Sequence, residues 1–125
     1  MIWLGRICAG LVFLFSLMMA GLALVAPDRM AETLGLGVVT GLGLNTVRAD
    51  MGAFFLVSAI GAGGALFKGR TAWLWLPTLL YGLAVTGRFL GLAVSGVPEG
   101  VAQPIVIELV IVALSVIGLR FSRQP

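Results

Sequence analysis

Four charged side chains, Arg48, Asp50, Arg88 and Glu108, sit inside apolar stretches of a 125-residue chain. A full charge in hydrocarbon is costly, so such a residue faces protein or water and marks a polar site. Three kinds of chemistry suit the set. Asp50 or Glu108 could carry a proton or an ion. The guanidinium groups could offer their fixed fork of donors to a small ligand or a lipid headgroup. Alternatively the four, whose charges cancel, could satisfy one another and fix the order of the helices. Removing one member would then strand a buried charge, at about 3–5 kcal/mol.

Spacing adds detail. Arg88 lies six residues before Val94, and Glu108 lies six residues after Ala102. At the rise of an α-helix, each is about 9 Å inside its segment. Antiparallel neighbours at that depth can pair directly. Arg48 and Asp50, two apart, point to different sides of one helix and are poor partners for each other. A crossed arrangement follows, Asp50 with Arg88 and Arg48 with Glu108, unless Arg48 snorkels to headgroups. Tyr81, seven residues before Arg88, lies on the same helical face, and Ser115 stands likewise beyond Glu108. Asn45 joins the set at the start of the second long helix. Ser16 reads as a small packing residue whose hydroxyl returns to its own helix.

Those positions need helices to hold them, and the composition says in what solvent. The chain is 60% hydrophobic and 10% charged, with a mean hydropathy of +1.13. A soluble domain this small cannot hide that much apolar surface. Four segments, 7–26, 46–67, 72–94 and 102–119, meet the length of a membrane span. The expected fold is all-α, an integral-membrane four-helix bundle forming a single domain over 1–125. The net charge of +3 does not point to nucleic acid, because the basic residues gather at segment ends. There is no histidine, so histidine catalysis is excluded, and the single cysteine, Cys8, permits no internal disulfide. Met18, Met19, Met30 and Met51 read as packing rather than as soft-metal ligands, and no metal or catalytic residues are assigned. The first apolar run is longer than the core of a signal peptide and reads as a retained helix.

Between the spans, Pro27 ends the first helix. Asp28 is expected to cap a short amphipathic helix over 29–34 that lies at the interface and stops at Gly35. The glycine-rich stretch 35–44 is too short to span and is expected to dip back against the bundle. Asn45 or Thr46 should cap the second long helix. Its small residues from Ala59 to Ala65, like Gly87 and Gly91 in the third, allow close approach of another helix. None of the glycines at 35, 37, 41 and 43 fits a phosphate-binding loop. Pro77 should kink the third helix, Pro104 is tolerated in the first turn of the fourth, and Trp3, Trp73 and Trp75 form one interfacial belt. Arg6, Lys68, Arg70, Arg120 and Arg123 fall on one side with no acid. The other side holds three bases and five acids, which places both termini in the cytoplasm. The charged set then opens on the side away from the cytoplasm.

The run Asn45-Thr46-Val47-Arg48-Ala49-Asp50-Met51-Gly52, the block Gly87-Arg88-Phe89-Leu90-Gly91 and Glu108 in the last helix resemble the domain of unknown function 4345 family. That family is related to the DoxX-like four-helix bacterial membrane proteins. The resemblance covers nearly the whole chain, including the Pro27 break and the Gly35 stop. It implies a compact four-helix bundle and, because DoxX-like relatives are associated with redox or quinone-linked membrane systems, an accessory-subunit role. The expected function is a non-catalytic accessory or binding subunit, with the bilayer and a membrane-protein partner or a second copy as its company. The alternative is a transporter or redox subunit that handles a small solute, protons, lipid or quinone through the polar pocket. Small multidrug transporters are of similar size but carry their essential carboxylate in helix one, where this chain has none. No cofactor motif is present.

Overall fold

The computed structural model describes residues 2–36, 40–97 and 100–121, of which most are helical and none is in a strand. The order is α1 (Ile2–Val25), α2 (Pro27–Thr33), α3 (Leu42–Thr46), a π-helical turn (Val47–Met51), α4 (Gly52–Lys68), a 3₁₀ turn (Thr71–Leu74), α5 (Trp75–Ser95) and α6 (Ala102–Phe121). Four helical runs, Ile2–Val25, Leu42–Lys68, Thr71–Ser95 and Ala102–Phe121, are long and apolar enough to cross a membrane. They extend the expected segments by up to five residues, except that the first ends at Val25, one residue before the expected Ala26.

Helix α1 is central, packing along α4 on one side and α6 on the other, while α5 leans mainly on α6. The stripes that do this are narrow. In α6 the buried residues are Ile105, Glu108, Ile111, Ser115 and Gly118, spaced three or four apart, which is one face of a helix. In α5 only Pro77, Tyr81 and Val85 are buried, so most of α5 faces outward.

The glycine-rich half of α4 is used inside the bundle. A Cβ on Gly61 would lie 2.6 Å from the Trp73 carbonyl oxygen, and one on Gly64 would lie 2.2 Å from the Trp73 ring. Trp73 therefore seats on α4 rather than serving only as an interfacial belt, and Arg70 lies over its ring at 5.2 Å. This close approach is confined to the half of α4 next to the Lys68–Arg70 turn. Toward the other end, a methyl group placed on Gly82, Gly87 or Gly91 of α5 would find nothing within 4 Å. At that far end a cavity lined by Val47, Asp50, Met51 and Phe54 on one side and Ala84 and Arg88 on the other separates the start of α4 from α5.

Several local expectations change. Ala26, not Asp28, takes the N-cap position of α2, with Pro27 at the first helical position and no side-chain cap. Proline's fixed φ and missing N–H suit that first position and draw the helix start forward. The α2 end is as expected: Gly35 has φ +76°, and the N–H groups of Gly35 and Leu36 donate to the Glu32 and Ala31 carbonyls at 3.0 and 2.8 Å, a Schellman closure. Neither Asn45 nor Thr46 caps the second long helix, which already begins at Leu42 after Gly41 at φ +55°. Thr46 instead donates to the Leu42 carbonyl at 3.0 Å. The rest of the 35–44 expectation falls on residues 37–39, outside those described. Pro77 is the third residue of α5, in its first turn, just after the 3₁₀ turn Thr71–Leu74.

Candidate functional site

Arg88 Nε donates to Glu108 Oε1 at 2.7 Å, the one ion pair among the described residues. The pairing follows from the two stripes: Arg88 continues the Pro77–Tyr81–Val85 face of α5, and Glu108 sits centrally on the buried face of α6. Glu108 is 9% exposed, and the Arg88 side chain is 29% exposed. The carboxylate is the enclosed partner and the guanidinium the wetter one.

The crossed arrangement does not form. Arg48 Nε donates to the Leu24 carbonyl at 3.1 Å, and a terminal nitrogen reaches the Asn45 side-chain oxygen at 3.4 Å. Leu24 lies in the last turn of α1, whose carbonyls lack intrahelical donors, so Arg48 caps that end and meets the negative pole of the helix dipole. The cause is the π turn. Its wider winding across Val47–Met51 breaks the 3.6-residue register, which carries Arg48 to α1 and leaves Asp50 exposed. Asp50 lines a cavity shared with Arg88 and Glu108 but makes no ion pair with Arg88.

Two adjacent cavities meet at the Arg88–Glu108 pair. The first, about 410 Å³, is bounded by Thr33, Leu34 and Gly35 at the end of α2, by Gly100–Pro104, and by Phe15, Phe55 and Tyr81 deeper in. The second, about 350 Å³, lies between the π turn with the start of α4 and Ala84 and Arg88 of α5. Leu34, Phe55, Arg88 and Glu108 line both. Together they fall within the range of small-molecule sites, in the wedge left where α4 and α5 diverge.

Tyr81 forms the floor. It is 1% exposed, and its hydroxyl lies 2.9 Å from the Ser16 hydroxyl. The buried Ser58 hydroxyl donates to the Phe54 carbonyl at 3.0 Å. Phe54 meets the Tyr81 ring edge-on at 5.2 Å, with Phe15 and Phe55 at 6.4 and 6.1 Å, spacings at which aromatic pairs attract. Ser16 therefore does not return its hydroxyl to its own helix. Once a tyrosine hydroxyl is buried beside it, the tertiary partner satisfies both groups at once. Ser115 behaves as a backbone-bonded serine, donating to Ile111 at 2.8 Å. Beyond this floor the bundle is apolar, with Ala9, Val12, Ala62 and Leu74 buried in the core. Leu74 presses against the Gly118 position.

Tyr81, Arg88 and Glu108 are thus brought together, Asp50 stands at the rim, and Arg48 with Asn45 serves the end of α1. Ser16, Ser58 and the three phenylalanines are site residues that segment-end counting misses. The available signal is that a lone mid-span tyrosine requires a hydroxyl partner at its own depth. Among the described residues no three of His, Cys, Asp and Glu gather as a metal site. Comparison of the chain with protein-family models, with curated proteins and with solved structures finds no match.

Proposed function

We propose that this chain is a non-catalytic binding or accessory subunit of a bacterial inner membrane, with both termini in the cytoplasm and a pocket that opens outward. The observation that carries this reading is the blind shape of the polar interior. Charged groups and the hydroxyls that bond across helices run from the open end to the Tyr81–Ser16 pair, and Val12, Ala62 and Leu74 are buried beyond it. A site that ends within the bundle holds a molecule; it does not conduct one. The same apolar floor speaks against the transporter alternative. The orientation rests on the five basic and no acidic residues at the terminal end. The accessory role rests on the resemblance to DoxX-like proteins and on α5, which buries only three residues and leaves Gly87 and Gly91 open for a partner helix or a second copy.

Native mass spectrometry of protein released from mild detergent tests the reading. A co-purified small molecule should be retained by the native chain and lost from a Tyr81→Leu, Phe55→Ala variant. An empty native chain that transports protons in proteoliposomes, dependent on Glu108, would support the alternative instead.

A further inference from the structure

We propose that the pocket takes an uncharged lipid whose head combines carbonyl and hydroxyl groups, with diacylglycerol as the simplest case, and that it arrives sideways from the bilayer between α4 and α5. This rests on the binding reading above. The head chemistry follows from what the ion pair leaves over. Arg88 spends its Nε on Glu108, and its two terminal NH₂ groups have no partner among the described residues. Glu108 spends one oxygen, and the other has no donor among the described residues. Unfilled capacity is costly on the enclosed Glu108, and the free Arg88 nitrogens open on both cavities, so the pair presents donors and an acceptor side by side. A carbonyl answers the first and a hydroxyl the second.

Charge excludes the other heads. Arg88 and Glu108 cancel, and no other charged side chain lines the first cavity among the described residues. A carboxylate or phosphate would have to compete with Glu108 for a guanidinium already matched, and would meet Asp50 at the rim of the second cavity. An organic cation, which the aromatic floor around Tyr81 would otherwise suit, meets Arg88 instead. The neutral head is what remains.

The route follows from the shape of the bundle. Gly61 lets α4 approach Leu76 and Pro77 of α5, and Gly64 lets it approach Trp73 of the preceding turn, at the closed end, and the second cavity separates α4 from α5 at the open end, with only Ala84 on the α5 side ahead of Arg88. Leu83, Phe89 and Leu90, chain neighbours of Ala84 and Arg88, are exposed apolar residues of α5. An acyl chain can lie in the gap and continue into the bilayer while the head sits in the first cavity.

The test uses the full chain in phosphatidylcholine nanodiscs and a diacylglycerol with a photoreactive diazirine in one acyl chain. Labelling should map to the start of α4 and to α5 around Ala84. Unlabelled dioleoylglycerol should displace the probe at concentrations about tenfold below those needed for oleate, dioleoylphosphatidylglycerol or hexadecyltrimethylammonium. Arg88→Lys, which keeps the charge but loses the fork, should raise the dioleoylglycerol concentration needed by about tenfold. Ala84→Phe, which fills the gap without touching the ion pair, should reduce labelling severalfold in protein that still runs as folded on size exclusion. Better displacement by the anions or the cation from the same residues would overturn the head chemistry and leave the pocket standing. Labelling scattered over all lipid-facing helices, unaffected by either variant, would overturn both.

Discussion

Removing the Arg88 guanidinium and removing the Glu108 carboxylate should have unequal costs, because the two groups are unequally enclosed. With Arg88→Ala, Glu108 remains 9% exposed on the core face of α6 without its partner 2.7 Å away. Two unit charges about 4 Å apart at an effective dielectric near 20 attract by about 4 kcal/mol, and stranding a buried member of a pair costs about 3–5 kcal/mol. A loss of about 3 kcal/mol is expected. With Glu108→Gln, the remaining charge is on Arg88, whose side chain is 29% exposed and opens on both cavities. Water can solvate it there, so the loss should be nearer 1–2 kcal/mol. The double variant should recover part of the sum, with a coupling of about 1.5–2 kcal/mol. The assay is unfolding of the purified protein in mixed micelles by increasing dodecyl sulfate, followed by tryptophan fluorescence and analysed as a double-mutant cycle. Additive losses with coupling below about 0.5 kcal/mol, or a larger loss for Glu108→Gln than for Arg88→Ala, would refute the argument from burial.

Other consequences follow from single contacts. Gly64→Ala should destabilise by about 1–3 kcal/mol, because its methyl would meet the Trp73 ring, whereas Gly91→Ala, with nothing within 4 Å, should leave the same unfolding midpoint unchanged or slightly raised. Tyr81→Phe keeps the ring contacts but removes the bond to Ser16, so it should cost about 1 kcal/mol, and a Ser16→Ala, Tyr81→Phe pair should cost clearly less than the two single losses added. Gly35→Ala, placed at φ +76°, should cost about 1 kcal/mol, read by the same denaturation.

What could be read from residues alone follows the range of the interactions concerned. The four spans are legible because lipid imposes a length, and each segment meets it independently of the others. The matched depth of Arg88 and Glu108 is legible by counting along two regular helices, but depth does not choose among the carboxylates within reach, and the crossed pairing of Arg88 with Asp50 does not form. Arg48 and Asp50 are not, because counting assumes 3.6 residues per turn and the π turn sits on those very residues. The helix start at Leu42 is hidden for a related reason: Asn45 and Thr46 have the side chains of caps, yet Arg48 and the Leu42 carbonyl engage them within the helix. Ser16 illustrates the remaining gap. A serine in an apolar helix bonds its own backbone unless a tertiary partner arrives, and the partner is 65 residues away. The small-residue run of α4 reads equally well as an internal or an external contact until Trp73 is placed against it.

The central claim, a polar pocket that opens at one end and is sealed beneath Tyr81, is tested most directly by thiol accessibility in intact cells. The only native cysteine, Cys8, is first replaced by serine, and then Ile107→Cys, on the wall of the first cavity, and Val12→Cys, in the core beneath the floor, are made singly. A small water-soluble, membrane-impermeant methanethiosulfonate added outside should modify the Ile107→Cys protein and leave the Val12→Cys protein unmodified until the bundle is denatured. Rapid modification at position 12 from outside, or of neither position before denaturation, would contradict the account.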